Sequence, residues 1–125
     1  MSKDESKRDS GTPTARPDVL SGATESALHI LREARAVGAS DVHLKTSVPP
    51  LVRVDGELRQ LEHPPLTAGL IETTIAVLVK WAGVEHHRLK QRQVDFSVGV
   101  PNVGRFRAHA YRQGGTAALA LRAVP

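Results

Sequence analysis

Side chains suited to gripping anions recur at every second position near the end of this 125-residue chain. In an extended segment Arg105, Arg107, His109 and Tyr111 point one way, while Phe106, Ala108 and Ala110 point the other. A second alternating segment, Ala117 to Val124, puts Leu119 and Leu121 on one face with Ala117 and Ala123, and Arg122 on the opposite face beside Ala118 and Ala120. If Gly114-Gly115 folds the two segments into a hairpin, Arg122 lies across from Arg105 or Arg107, depending on loop length. In either register three guanidinium groups converge on one sheet face. Facing like charges cost roughly 0.2–1 kcal/mol, and the planar fork of arginine matches phosphate oxygens. An anion docked there relieves the repulsion; the alternative is that Asp95, another acid or water neutralises the cluster.

A second constellation is Asp41 and His43, two positions apart on one face of a short strand and able to hydrogen-bond as a structural pair. Acid–base catalysis by this pair lacks a nucleophile nearby in sequence. The six histidines, His29, His43, His63, His86, His87 and His109, do not form an i, i+4 helical pair with a glutamate between them, and adjacent His86 and His87 diverge on a helix. No metal site is expected from them. With no cysteine in the chain, disulfides, thiolate zinc sites, iron–sulfur clusters and thiol catalysis are excluded.

The charge distribution agrees with an anionic partner. The chain carries a net charge of +4, and Glu85 to Pro125 holds seven cations against two anions, while the rest is nearly neutral. A one-sided field of this kind suits nucleotide phosphate, nucleic acid or an acidic protein surface. No apolar run approaches the roughly 20 residues that cross a bilayer, and the charged start lacks the apolar stretch of a secretory signal. A cytoplasmic protein fits best.

The elements that must position these residues can be read from periodicity. Residues 1–23, rich in Ser, Lys, Asp, Gly, Thr and Pro, read as a disordered leader, and 24–125 as one domain. Thr24 is the expected cap of a helix with an apolar stripe of Ala27, Leu28, Leu31, Ala34 and Val37, stopped by Gly38. Asp41 to Leu44 reads as a strand, and Leu51–Val54 and Glu57–Leu61 as a hairpin around Asp55-Gly56. Pairing preference favours a three-residue loop there, matching Val52 with Leu58 and Arg53 with Glu57. Thr67 caps a second helix with Ile71, Ile75, Leu78 and Ala82 on one side and Gly83 at its end; Trp81 belongs to its core side by default. Glu85 to Gln93 reads as a short exposed helix or turn, before three strands finish the chain. The sum is an α+β fold, a mostly antiparallel sheet of about six strands with helices on one face.

Several blocks together resemble a known family. Gly38-Ala39-Ser40-Asp41-Val42-His43-Leu44 and Pro49-Pro50-Leu51-Val52-Arg53-Val54-Asp55-Gly56-Glu57-Leu58 are similar to the opening of type IV pilus retraction ATPases, the PilT-like motors of twitching motility. So are Asp95-Phe96-Ser97, the run Gly104-Arg105-Phe106-Arg107-Ala108-His109-Ala110-Tyr111, and Leu121-Arg122-Ala123-Val124-Pro125. The family usually has Val-Asn where Ala108-His109 stands. Type II secretion ATPases carry the same domain type.

The resemblance implies a PAS-like N-terminal domain in front of a RecA-like ATPase core, assembled as a hexamer around ATP and magnesium. Such a domain packs on its own or a neighbouring subunit's core, at the inner-membrane base of a pilus or secretion machine. Its arginines approach the nucleotide phosphates, which by motif are Arg105, Arg107 and Arg122. The chain has no Gly-x-x-x-x-Gly-Lys-Ser/Thr loop and no acidic strand for magnesium, so it is not expected to bind a cofactor or hydrolyse ATP by itself. The expected function is an inter-subunit interaction and nucleotide-sensing domain. The alternative is a small basic nucleic-acid-binding module, ranked lower because Tyr111 is the one aromatic platform on the basic face. A free PAS-like sensor of a small ligand is a third reading.

Overall fold

The computed structural model describes residues 17–85 and 91–125. Most of the expected leader, and residues 86–90 of the expected turn with His86, His87, Arg88 and Lys90, lie outside the described residues. Helix α1 (Pro17–Ala36) is followed by β1 (Asp41–Leu44), β2 (Leu51–Val54) and β3 (Glu57–Gln60). Helix α2 (Ala68–Ala82) then leads to β4 (Gln93–Val100), β5 (Gly104–Gln113) and β6 (Thr116–Ala123). All six strands form one antiparallel sheet in the order β3-β2-β1-β6-β5-β4, so the first and last strands in sequence of each hairpin group meet at its centre, β1 against β6. This is the expected α+β architecture.

One face of the sheet is apolar and both helices cover it. Phe106, Ala108, Leu119, Leu121, Val42, Leu44, Val52 and Val98 point inward and are buried. Ile30, Leu31 and Ala34 of α1 and Ile71 and Leu78 of α2 complete the same cluster, with Trp81 half-buried against it. With so few aromatics, the core is built from aliphatic side chains around a single buried phenylalanine, Phe106. Burying such residues stabilises the fold by roughly 1.5–3 kcal/mol each.

The first helix differs from expectation at both ends. It begins at Pro17, so Thr24 lies inside it and is not its cap. Proline suits a first helical turn, where its missing N–H has no partner to lose, and extending a helix that is already anchored by packing costs far less than starting one. At the other end Val37 lies beyond the last helical residue and is exposed. The second helix follows its capping signals: Thr67 Oγ1 accepts a hydrogen bond from Leu70 N at 3.1 Å, and left-handed Gly83 ends the helix.

The β2–β3 hairpin also departs from expectation. Arg53 pairs with Leu58 and Val54 with Glu57, so the loop has two residues rather than three. Asp55 (φ 51°) and Gly56 (φ 82°) both adopt positive φ, as the tight turn that matches strand twist requires. Matching side chains across the strands misleads here because β3 is an edge strand whose four residues are all exposed. Leu58 pays no penalty large enough to shift the register. Two outcomes test this arrangement by urea unfolding. Leu58→Lys leaves stability within about 0.5 kcal/mol, whereas the three-residue register would place the new charge beside buried Val52. Thr67→Ala destabilises by about 1 kcal/mol through the lost cap.

Candidate functional site on the open face of the sheet

The face away from the helices carries the polar residues. Gly114 (φ 59°) and Gly115 (φ 85°) form a two-residue turn that pairs Gln113 with Thr116, and this loop length sets Arg107 directly opposite Arg122. The alternative, Arg105 opposite Arg122, is excluded by that register. The same row continues to Ser97 on β4, Asp41 on β1 and Arg53 on β2. Two residues along the strands, a second row reads Asp95, His109, Ala120, His43 and Leu51. Both rows share one face because side chains at paired positions of adjacent strands project the same way.

Arg105, Arg107 and Arg122 all lie exposed on this face, but they do not form one cluster. An Nη atom of Arg105 comes within 3.2 Å of where a Cβ on Gly99 would sit, so its guanidinium lies over β4 rather than toward Arg122. Arg107 and Arg122 are the two that share a depression of about 310 Å³, lined also by Asp41, His43, Asp95, His109 and Ala120. Among the described residues, neither Arg105 nor Arg107 has a carboxylate in ion-pair range.

Arg122 is partly answered from within. Its Nε donates to Asp41 Oδ1 at 3.0 Å, and Ser40 Oγ donates to Asp41 Oδ2 at 2.9 Å. The Asp41 side chain is only 14% exposed, against 74% for Arg122, so the carboxylate is a set base from which the guanidinium reaches outward. Burial works against the charged carboxyl. The hydrogen bonds from Ser40 and Arg122 and the charges of Arg122 and His43 outweigh it and hold Asp41 below the usual aspartate range. The expected Asp41–His43 hydrogen bond is therefore replaced: the two share a face, and Asp41 spends its oxygens on Ser40 and Arg122.

His43 and His109 differ in their partners. Burial pushes the His43 imidazole toward its neutral form; the Asp41 charge opposes this, and Lys45 and Arg53 reinforce it. His109 Nδ1 lies 2.7 Å from Asp95 Oδ1, with its ring stacked on Tyr111 at 5.1 Å between centroids. Periodicity placed His109 on this face, but its tie to Asp95 needs the β4–β5 register, which pairs the two directly. Among the described residues no group of three His, Asp or Glu side chains gathers to hold a metal ion, and no helix is long and apolar enough to cross a membrane.

The acid response of the fold follows from the two shifted groups. Both have folded pKa values below their unfolded ones, so each contributes stability that is lost on acidification. For His43 the loss starts as pH falls through the ordinary histidine range near 6.5 and continues down to its lowered folded value. For Asp41 it starts in the ordinary aspartate range and is complete below its lowered folded value. Denaturant unfolding of His43→Gln between pH 7.5 and pH 5.5 should show a flatter pH dependence than the wild-type chain; an unchanged slope would contradict the burial of this imidazole.

The comparisons with known proteins point to one group. No protein-family model matches the chain. The type IV pilus retraction ATPase PilT of Pseudomonas aeruginosa is 36% identical over 95 residues, covering 70% of this chain and 25% of PilT. A twitching motility protein of Neisseria gonorrhoeae is 32% identical over 79 residues, covering 61% of this chain and 20% of that protein. Among solved structures, the pilus retraction motor PilT with bound ADP superposes with a TM-score of 0.67 at 38% identity, covering 78% of this chain and 29% of the motor chain. The chain spans 20–25% of the length of the curated relatives it matches. It is a homologue of the pilus retraction ATPases, corresponding to a domain-sized part of them.

Proposed function

We propose that this domain is the PAS-like N-terminal interaction and nucleotide-sensing domain of a type IV pilus or secretion ATPase ring. It docks on a RecA-like ATPase core, its own or a neighbour's, in a hexamer, and presents Arg107, Arg122 and Arg105 to the phosphates of ATP and magnesium held by that core. The observation that carries this reading is the pairing of Arg107 with Arg122 on the open face, with Arg107 lacking a carboxylate partner among the described residues. Two guanidiniums paired across adjacent strands, one of them without a carboxylate in ion-pair range among the described residues, repel in the free domain and are stabilised once phosphate oxygens arrive. The ADP in the PilT structure supports a nucleotide as the source of those oxygens. In this reading the phosphoryl-transfer machinery belongs to the core, and the domain senses and closes a site built there.

The test is a chimeric retraction motor in which this chain replaces the corresponding domain. A hydrogen bond to a charged group contributes about 1.5–3 kcal/mol, so Arg107→Ala should lower ATP turnover by roughly 10- to 100-fold. Arg105→Ala should have a smaller effect, since its guanidinium lies over Gly99. The circular dichroism of both variants should match that of the parent. Unchanged turnover in Arg107→Ala would overturn the phosphate-facing role.

A further inference from the structure

The two edges of the sheet are built differently. β3, at one end, has four residues and carries charges of both signs, Glu57 and Arg59. β4, at the other end, runs for eight residues without proline or lysine, and Asp95 is its one charged residue. Native edge strands are normally guarded by short length, charge, proline or a bulge. β4 pairs without interruption with β5 from Gln93 to Val100, so no bulge breaks it, and no described strand lies on its outer side. Its helix-side row holds Val94, Phe96, Val98 and Val100, and Phe96 is partly buried against the core. Its open-face row holds Asp95, Ser97 and Gly99, with the Arg105 guanidinium laid over Gly99.

We propose that β4 is a self-pairing edge: a second copy of this chain docks its own β4 antiparallel against it, about a two-fold axis through Ser97. The occupant follows from charge and register. An incoming strand must answer Arg105, and so needs a carboxylate opposite Gly99 on the open face. β4 itself supplies one. With the apolar rows of both copies on the same side, the pairing centred on Ser97 sets Asp95 of each copy against Gly99 of the other. Cβ positions directly opposite each other lie about 4.5–5.5 Å apart. An Nη atom of Arg105 lies 3.2 Å from the Cβ position of Gly99, so guanidinium and carboxylate meet within ion-pair reach, twice by symmetry. The Asp95 side chain is 70% exposed, and a carboxylate accepts about four hydrogen bonds, so the one from His109 does not exhaust it. The same register matches Phe96 with Val98 and Val94 with Val100 on the helix side, pairs of the aromatic and β-branched kinds that favour adjacent strands. Neighbouring registers lose the match: centring on Phe96 sets Asp95 against Ser97, and centring on Val98 sets it against Pro101. The contact is isologous and closes at two copies, whereas a ring contact repeats head to tail. Arg107 and Arg122 take no part in it, so it does not rest on their phosphate-facing reading.

The experiment measures the mass of the whole 125-residue chain by sedimentation equilibrium from micromolar to millimolar concentration. The expected result is a reversible rise from one chain to two and no further, with slower hydrogen exchange of the β4 amides as the dimer forms. Ser97→Lys, which sets like charges opposite each other on the axis, should hold the chain monomeric. Asp95→Arg and Arg105→Asp should each weaken dimerisation by about tenfold. The two together should restore it, because the reversed pair meets across the same register. The amide NMR spectrum of each variant in dilute solution should keep the dispersion of a folded monomer, and restoration in the double variant separates the interface from any effect on folding. Leu58→Lys, on the opposite edge, should leave the association unchanged. A chain that stays monomeric throughout, grows beyond two copies, dimerises equally in Ser97→Lys, or is not restored by the double reversal overturns the self-pairing edge. ATP turnover of the chimeric Arg107→Ala motor is untouched by any of these outcomes, so the two readings fail separately.

Discussion

Arg107 and Arg122 are paired directly across the two strands β5 and β6, so their side chains leave the sheet side by side on one face. Their opposition costs a fraction of a kcal/mol, within the roughly 0.2–1 kcal/mol range of cross-strand pairs. On the reverse of the same strands Phe106, Ala108, Leu119 and Leu121 are buried under two helices. Burial of those side chains exceeds the repulsion several-fold, so the register is decided by the core and the charge conflict is carried along. The conflict can be discharged from outside, by an anion, or from the side, by Asp41.

Asp41 discharges half of it. It sits on β1, the strand next to β6 at the centre of the sheet, and its two oxygens are engaged by Ser40 and Arg122. This orients the Arg122 guanidinium through its Nε and leaves the fork of Arg107 unanswered among the described residues. A pair of arginines treated this unequally gives one fixed and one adaptable donor group. Placing both on strands rather than loops limits the motion to the side chains.

Much of this was legible in the sequence, and the reasons for the remainder are specific. The alternation in Arg105 to Arg112 and Ala117 to Val124 assigns faces correctly because one side of a covered sheet must be apolar, and Gly114-Gly115 marks the turn. Periodicity does not say how far a long side chain leans, so the departure of Arg105 toward Gly99 was invisible. Nor could spacing alone choose between His43 and Arg122 as the partner of Asp41: the two arginines and the aspartate are brought into one row by strands far apart in sequence. The β2–β3 register failed for a related reason. Side-chain matching presumes that both strands have an inward face, and the outermost strand, β3, is exposed at every position.

Composition overstated the basic face. The excess of cations after Glu85 suggests a uniformly positive surface, yet the fold distributes those cations to different places. Arg112 falls on the helix side of β5, where its guanidinium meets Glu72 of α2 at 3.1 Å and ties the hairpin to the second helix. The open face keeps Arg105, Arg107 and Arg122, and sets Asp41 and Asp95 among them. A field of that makeup steers anions weakly over distance, because the opposite charges cancel beyond a Debye length of about 8–10 Å. At contact the individual donors and acceptors matter instead, and guanidiniums, imidazoles and carboxylates stand side by side in the same depression. Such a surface discriminates by close fit. It has little to offer a long polyanion, whose binding depends on summed charge.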